Sequence, residues 1–568
     1  MLFVAGQLMA HVRSARGSRR ATELAAALLV SCAGIQSASA GTPTSCLSLS
    51  TFSYPNTTIN GATPMPGGPY VAPDAWHLAF TNLPAYCDVY ATIKPTSDST
   101  INVHVWLPAN YNGRYLGTGN GGYAGGFFFS ELADGINRGF ATANTDMGTA
   151  PAAGVNADAL VGHPEKWKDF GWRATHLMTT FAQALINTYY GNPANKSYFA
   201  GCSTGGQQAL MEAQRYPDDY DGILAGAPAF NRTHLHTVLI SQYRATHRTP
   251  MSLIPATKLD VVNRAVLAQC LKSSGGAPND PFLTDPRDCN FDPTSLKCPA
   301  ADGPACLNAD QVEAMKVYYA GSTNLANGAI INPGNARGSE TSNPASLGFV
   351  LNENSTEPTF DSLFKWVFGL NWQWQTFDFN NNMATVDQVL AADLNATSTD
   401  LRPFAGRGGK LILYAGFADP LIPSQSSINY YNALAETMNG RSAQAIEKTQ
   451  AFARLFMAPG MWHCKDGPGP NSFGGAIQEQ APTYDPTYDL LSALTQWVER
   501  GAPPKSVIAT KYIGDTAGSA IQMQRPLCPY PQFARYTGSG DPNLPKNFTC
   551  SADTDRDVNE KPAPQYGP

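Results

Sequence analysis

Charge is scarce in this chain: Asp, Glu, Lys and Arg make 14% of its 568 residues, against ~25% in an ordinary soluble protein. Positive charge is the rarer sign, with 38 Lys and Arg against 44 Asp and Glu. No basic surplus exists to hold a phosphate backbone, which argues against nucleic-acid binding. Long apolar runs are missing too. Beyond the first 40 residues no stretch reaches the ~18 uninterrupted apolar residues of a membrane span. No two cysteines stand in C-x-x-C spacing, so zinc ribbons and thioredoxin-like motifs lack support. No internal repeat is visible. With 43% hydrophobic residues, the chain is neither a coiled coil nor a charged disordered polymer.

What is abundant is glycine and proline, 51 and 43 residues or about 17% of the chain, where ~12% is usual. That composition reads as a loop-rich globular protein. Residues 1–40 read as an export signal: Arg13, Arg16, Arg19 and Arg20, then a short apolar run at 24–30, then Ala38-Ser39-Ala40 as a cleavage site. Leu29-Val30-Ser31-Cys32 offers the alternative of a lipoprotein anchored at Cys32. Setting Cys32 aside leaves ten cysteines, an even number that implies disulfides in an exported, secreted or periplasmic chain. Spacing alone leaves their connectivity open, although Cys298 and Cys306 make a plausible local pair.

From residue 41 to 230 strand and helix patterns alternate. Ile101, Val103, Val105 and Leu107 read as a strand, followed by a glycine-rich turn from Gly117 to Gly126. Residues 173–190 read as a helix ended by Gly191, 197–200 as a strand, 205–215 as a helix and 223–225 as a strand. Residues 231–398 differ: Asn, Pro, Ser and Gly dominate, and no clear alternation is visible. An aromatic cluster there, from Phe360 to Phe379, fits either a second small core or a lid lining an aromatic pocket. From 399 to 568 the α/β character returns, with strands at 410–415 and 452–457 and a helix at 488–500 closed by Gly501. An α/β domain interrupted by a lid explains this order better than three separate domains.

The strongest chemical signal is Gly201-Cys202-Ser203-Thr204-Gly205-Gly206, between a strand and a helix. It matches the G-x-S-x-G nucleophile elbow, where a strained turn exposes the serine and small flanking residues let strand and helix pass closely. Such a serine needs a base and an orienting carboxylate, in the chain order Ser, Asp, His. Asp419 follows the 410–415 strand, and His463 follows the 452–457 strand. The other histidines of the mature chain, His77, His104, His163, His176, His234, His236 and His247, all precede Asp419. His234 and His236 read as part of a surface loop rather than a metal pair. Cys202 adjoins the serine and Cys464 adjoins the histidine. A bridge between them would hold their Cα atoms within about 4.4–6.8 Å and bring Ser203 beside His463.

On these residues the sequence resembles the tannase and feruloyl esterase family, which also contains hydrolases of terephthalate monoesters. The resemblance is carried by the CS-D-HC arrangement of Cys202-Ser203, Asp419 and His463-Cys464, and extends over nearly the whole mature chain. It includes WLPANYNGRYLGTGNGGYAGG, KSYFAGCSTGG, YDGILAGAPA, LILYAGFADPLIP, RLFMAPGMWHC and PLCPYPQFARYTGSGD. The resemblance implies an α/β-hydrolase core with a large inserted lid. It also implies the disulfides Cys46–Cys87, Cys202–Cys464, Cys270–Cys289, Cys298–Cys306 and Cys528–Cys550. It places the oxyanion hole at the backbone N–H groups of Thr204 and Gly122.

Many relatives hold calcium in the lid through an aspartate-rich loop. Here the stretch after Cys270 is Leu-Lys-Ser-Ser-Gly-Gly, with no carboxylate, and Asp280 and Asp285 remain, so the calcium site reads as degraded and no cofactor is required. The expected function is ester hydrolysis by Ser203, Asp419 and His463 on small esters of hydroxylated aromatic acids. A feruloyl ester leads, with gallate esters (tannase) next. A terephthalate monoester would want an arginine for its free carboxylate, and 342–364 contains no Lys or Arg. A non-catalytic ester-binding protein is the alternative outside enzymes.

Overall fold

The computed structural model describes residues 45–75, 77–340 and 355–552. The expected export signal, Cys32 and the 342–354 part of the Lys- and Arg-free stretch lie outside the described residues.

Nine strands form one sheet. They are β1 (Thr57–Met65), β2 (Tyr86–Ile93), β3 (Ile101–Pro108), β4 (Arg114–Thr118), β5 (Ala141–Thr145), β6 (Lys196–Cys202), β7 (Gly222–Gly226), β8 (Lys410–Gly416) and β9 (Ala453–Ala458). Their order across the sheet is β1-β2-β3-β5-β4-β6-β7-β8-β9. The first four neighbours pair antiparallel, and from β5 to β9 every pairing is parallel. Parallel strands need crossovers that cover both faces, so their residues are buried on either side. In β8, Leu411, Leu413 and Ala415 join one apolar cluster, while Ile412 and Tyr414 join another on the opposite face.

Of the covering helices, α1, α2 and α4 follow the alternation expected from the sequence, and α3 is an addition to it. On one face lie α1 (Ala174–Tyr190), α2 (Thr204–Arg215) and α3 (Ser424–Asn439), all with side chains in the first cluster. Leu490, Leu494 and Trp497 of α4 (Leu490–Arg500) lie in the second. Gly191 and Gly501 end α1 and α4 at φ 75° and 66°, the left-handed conformation that glycine adopts without penalty. Asp489 caps α4 by accepting from the Ser492 N–H.

β7 and β8 are direct neighbours, with Gly222 opposite Lys410, although residues 231–398 lie between them in the chain. Among the described residues, that segment gives no strand to the large sheet. It is more helical than its sequence predicts, containing Arg232–Thr246, Ala256–Cys270, Ala309–Ala320, Ser362–Phe368 and Asn382–Leu394. The reason is clearest in Arg232–Thr246, where Arg232, Thr233, His236, Thr237, Gln242 and Thr246 are buried beside the aliphatic residues. A helix surrounded by protein has no polar stripe to advertise its period. His234 and His236 belong to this helix and not to a surface loop, and His236 is buried.

Five disulfides join Cys46–Cys87, Cys202–Cys464, Cys270–Cys289, Cys298–Cys306 and Cys528–Cys550. Among the described residues no helix is long and apolar enough to cross a membrane.

Candidate active site

Parallel strands end on one edge of the sheet, where open α/β folds collect their ligands. Ser203 follows β6, Asp419 follows β8 and His463 follows β9. Ser203 sits at φ 65°, ψ −119°, a conformation that a non-glycine residue holds only when its surroundings impose it. The surroundings are glycines. A Cβ on Gly201 would meet the Gly205 backbone at 2.6 Å, and one on Gly119 would meet the Gly205 Cα at 2.5 Å. The turn is pinned by the Ser203 N–H donating to the Gly226 carbonyl at 3.0 Å.

Asp419 is buried, and both its carboxylate oxygens are committed. Oδ1 accepts from the N–H groups of Leu421 and Ile422, each at 2.9 Å. Oδ2 lies 2.8 Å from His463 Nδ1. That contact fixes the ring, and its other nitrogen, Nε2, lies 3.8 Å from Cys464 Sγ. The Cys202–Cys464 bridge spans 6.0 Å between Cα atoms and 262 residues of chain, tying the serine turn to the histidine loop. Gln478 Nε2 donates to the Cys464 carbonyl at 3.0 Å, fixing that loop from its other side.

Thr204 opens α2, so its N–H has no carbonyl within the helix to donate to. Its side-chain Oγ1 donates to the Gly122 carbonyl at 2.7 Å. Gly122 has φ 58°, and a Cβ there would stand 2.1 Å from the Gly154 carbonyl oxygen, so no larger residue fits. The glycine-rich turn is anchored through Asn120, whose carbonyl accepts from the Gly205 N–H at 2.7 Å and whose side chain reaches the Thr145 carbonyl at 2.8 Å.

A narrow cleft adjoins Ser203 and Thr204, lined by Leu235, Leu239, Phe360, Leu421 and Ile422 together with Arg232 and His236. Of the aromatic cluster, Phe360 reaches this cleft. Phe364 instead packs on Trp372 and Phe377, at centroid distances of 5.4 and 4.9 Å, and these residues are continuous with the first apolar cluster and form no separate second core. Two residues outside any motif support the acid turn. Asn335 Nδ2 donates to the Pro420 carbonyl at 2.7 Å, and Gln242 Nε2 donates to Asn335 Oδ1 at 2.6 Å. Both come from the inserted segment, and nothing local in the sequence marks them.

The residues expected at the calcium loop do not fit calcium. Asp280 Oδ1 accepts from Arg525 Nη2 at 2.8 Å, and its Oδ2 from the Ala277 N–H at 2.9 Å. Asp285 is engaged by Arg287. A cation of six to eight oxygen ligands would face two guanidinium groups there. Elsewhere, His176, Glu212 and Asp219 bring candidate ligand atoms within 4.8 Å of one another. His176 Nδ1 is already bonded to Asp219 Oδ2 at 2.7 Å, and burial holds the Glu212 carboxyl well above its usual range. This trio is consistent with buried polar packing.

Strand order, crossovers and the serine-bearing turn between β6 and α2 place the protein among the α/β-hydrolases. The sequence model described as tannase and feruloyl esterase matches residues 87–551. The chain belongs to this family and is a carboxylic ester hydrolase. It is 35% identical to an uncharacterized esterase of Xanthomonas campestris pv. campestris, over 92% of this chain and 94% of that protein. It is 32% identical to a probable feruloyl esterase B-2 of Aspergillus flavus, over 78% of this chain and 83% of that one. The crystal structure of feruloyl esterase B from Aspergillus oryzae superposes with a TM-score of 0.79 at 30% identity, covering 89% of this chain and 99% of that one.

Proposed function

We propose that this chain is an exported feruloyl esterase that works through Ser203, His463 and Asp419. The observation that carries the reading is the buried Asp419–His463 contact of 2.8 Å, joined by the Cys202–Cys464 bridge to the turn that presents Ser203. Ser203 Oγ attacks the ester carbonyl, and His463 Nε2 takes its proton. Asp419 keeps the proton of Nδ1 in place and stabilises the imidazolium. The carbonyl oxygen becomes an oxyanion received by the N–H groups of Thr204 and Gly122. Collapse expels the alcohol, which leaves with the proton from His463. Water activated by the same nitrogen then releases the acid and regenerates Ser203.

The side chains lining the cleft are mostly apolar, which matches an aromatic acyl group in chemical character. The named relatives support feruloyl over gallate esters. Catalysis requires no cofactor, since proton transfer and oxyanion stabilisation are supplied by the chain itself. Five disulfides suit a secreted or periplasmic location.

Initial rates on methyl ferulate, methyl gallate and a terephthalate monoester, with Ser203→Ala as control, test the proposal. The expected result is fastest turnover of the ferulate and its loss in the variant. A folded, disulfide-intact protein that turns over none of the three, or a Ser203→Ala variant as active as the parent, would overturn it.

A further inference from the structure

Arg232 is the most unusual charge in the molecule. It is 2% exposed, and among the described residues no carboxylate pairs with it. A buried guanidinium without an acid is costly and persists only where neutral groups hold its N–H fork. Here Nε donates to Gln207 Oε1 at 2.7 Å, and Nη2 to Thr204 Oγ1 at 2.8 Å. Gln207 is itself fixed by donating to the Leu394 carbonyl at 2.6 Å. One face of the guanidinium stacks over Phe170, 4.9 Å from the ring centroid. Burial lowers its pKa to about 10, so the group remains a cation at neutral pH.

The chain of contacts continues in one direction. Thr204 Oγ1 accepts from Arg232 and therefore turns its own proton to the Gly122 carbonyl at 2.7 Å. A hydroxyl left alone could point that proton either way. Arg232 decides it, and so fixes Thr204 and Gly122, two residues far apart in sequence, to each other. The cation also lines the cleft beside Ser203, and no carboxylate is among the described residues that line it.

We propose that Arg232 is the positioning residue of the oxyanion hole. Through the Thr204 hydroxyl it sets the relative placement of the Thr204 and Gly122 N–H donors, and its unpaired charge favours the negative oxygen that forms between them. The proposal rests on the serine mechanism above. It adds to that mechanism a side chain that touches neither the nucleophile nor the base in the contacts described.

The test compares the parent with Arg232→Met, Arg232→Lys, Thr204→Val, the Met/Val double variant and Ser203→Ala. Two inhibitors separate the states: an arylboronic acid, which becomes a tetrahedral anion on the serine, and an uncleavable ferulic amide, which resembles the ground state. Arg232→Met is expected to lower kcat about 10- to 100-fold with KM changed less than about threefold. Boronate affinity should fall in parallel and amide affinity should hold. Arg232→Lys should recover part of the loss, since it keeps the charge but not the fork. The double variant should be no worse than the poorer single one, because both break the same chain.

Unchanged kcat in Arg232→Met, a loss confined to KM, or additive effects would overturn the proposal. If Arg232→Met fails to fold by circular dichroism, Thr204→Val against Thr204→Ser decides: a parent-like kcat in Thr204→Val overturns it, and a loss spared in Thr204→Ser supports it. Turnover surviving in Ser203→Ala would sink the serine mechanism and this inference together. Parent-like kinetics in folded Arg232→Met, with Ser203→Ala inactive, would sink this inference alone.

Discussion

Asp419 makes the sharpest prediction at the residue scale. Its Oδ2 receives the Nδ1 proton of His463 while its Oδ1 is held by two backbone N–H groups. Asp419→Asn would preserve shape but present a donor or a weaker acceptor to Nδ1, favouring the wrong tautomer. kcat should fall about 10³- to 10⁴-fold with little change in KM, measured on methyl ferulate. A loss under tenfold would mean that Asp419 does not orient the base. Ser203, Asp419 and His463 were legible in the sequence because each follows a strand in a short recognisable turn. Arg232, Asn335 and Gln242 were not, because they act through contacts with residues far away in the chain.

Two devices matter at the scale of elements. The first is the Cys202–Cys464 bridge between the serine turn and the histidine loop. In the chain-entropy model a loop of 262 residues gives about 5.5 kcal/mol of stabilisation. Its larger role is positional. C202S/C464S is expected to lose most of its kcat, while C528S/C550S, which opens the bridge from Cys528 to the strand Phe548–Ser551, should lower thermal stability with kcat largely kept. Comparable kcat in the two folded variants would remove the positional role.

The second device is Glu131, on the helix Phe129–Asn137, which accepts from the Ile477 N–H at 2.7 Å. Desolvation, with the Asp134 charge beside it, pushes its carboxyl from 4.5 up to about 8. The folded state therefore keeps this proton to higher pH than the unfolded chain does. Stability from Glu131 is full below 4.5 and is lost as pH rises through about 8. Glu131→Gln should gain on the parent in denaturant midpoint across that window and level off above it. A constant difference at all pH values would contradict the assignment. Strands β3 and β6 to β9 and helices α1, α2 and α4 were legible, most of these strands being short apolar runs and two of these helices being closed by glycine, whereas β1, β2, β4, β5 and α3 were not read from the sequence. The helix Arg232–Thr246 was hidden because its polar side chains are buried among apolar ones.

At the scale of the whole molecule, the sheet continues from β7 to β8 after 231–398, and the edge that carries Ser203, Asp419 and His463 is assembled from both sides of that segment. The change in composition set 231–398 apart in the sequence, while the contact of Asn335 with the Asp419 turn was not legible there. Near the insertion's calcium-like loop, Asp280 and Arg525 form a buried pair joining that loop to the strand Ile521–Leu527. Chelation by EDTA should therefore leave both melting temperature and activity unchanged. Arg525→Met, which strands a buried carboxylate, should cost about 3–5 kcal/mol in chemical denaturation. A melting temperature that falls with EDTA and returns with added calcium would reverse this reading.

The central claim is that Ser203 carries the acyl group between two half-reactions. Rapid quenching during turnover of a feruloyl ester, followed by proteolysis and mass spectrometry, tests it most directly. The account predicts a feruloyl mass increment on the peptide containing Ser203, appearing within the first turnover and absent from Ser203→Ala. An adduct on another residue, or turnover that persists at the parent rate in Ser203→Ala without any adduct, would contradict it.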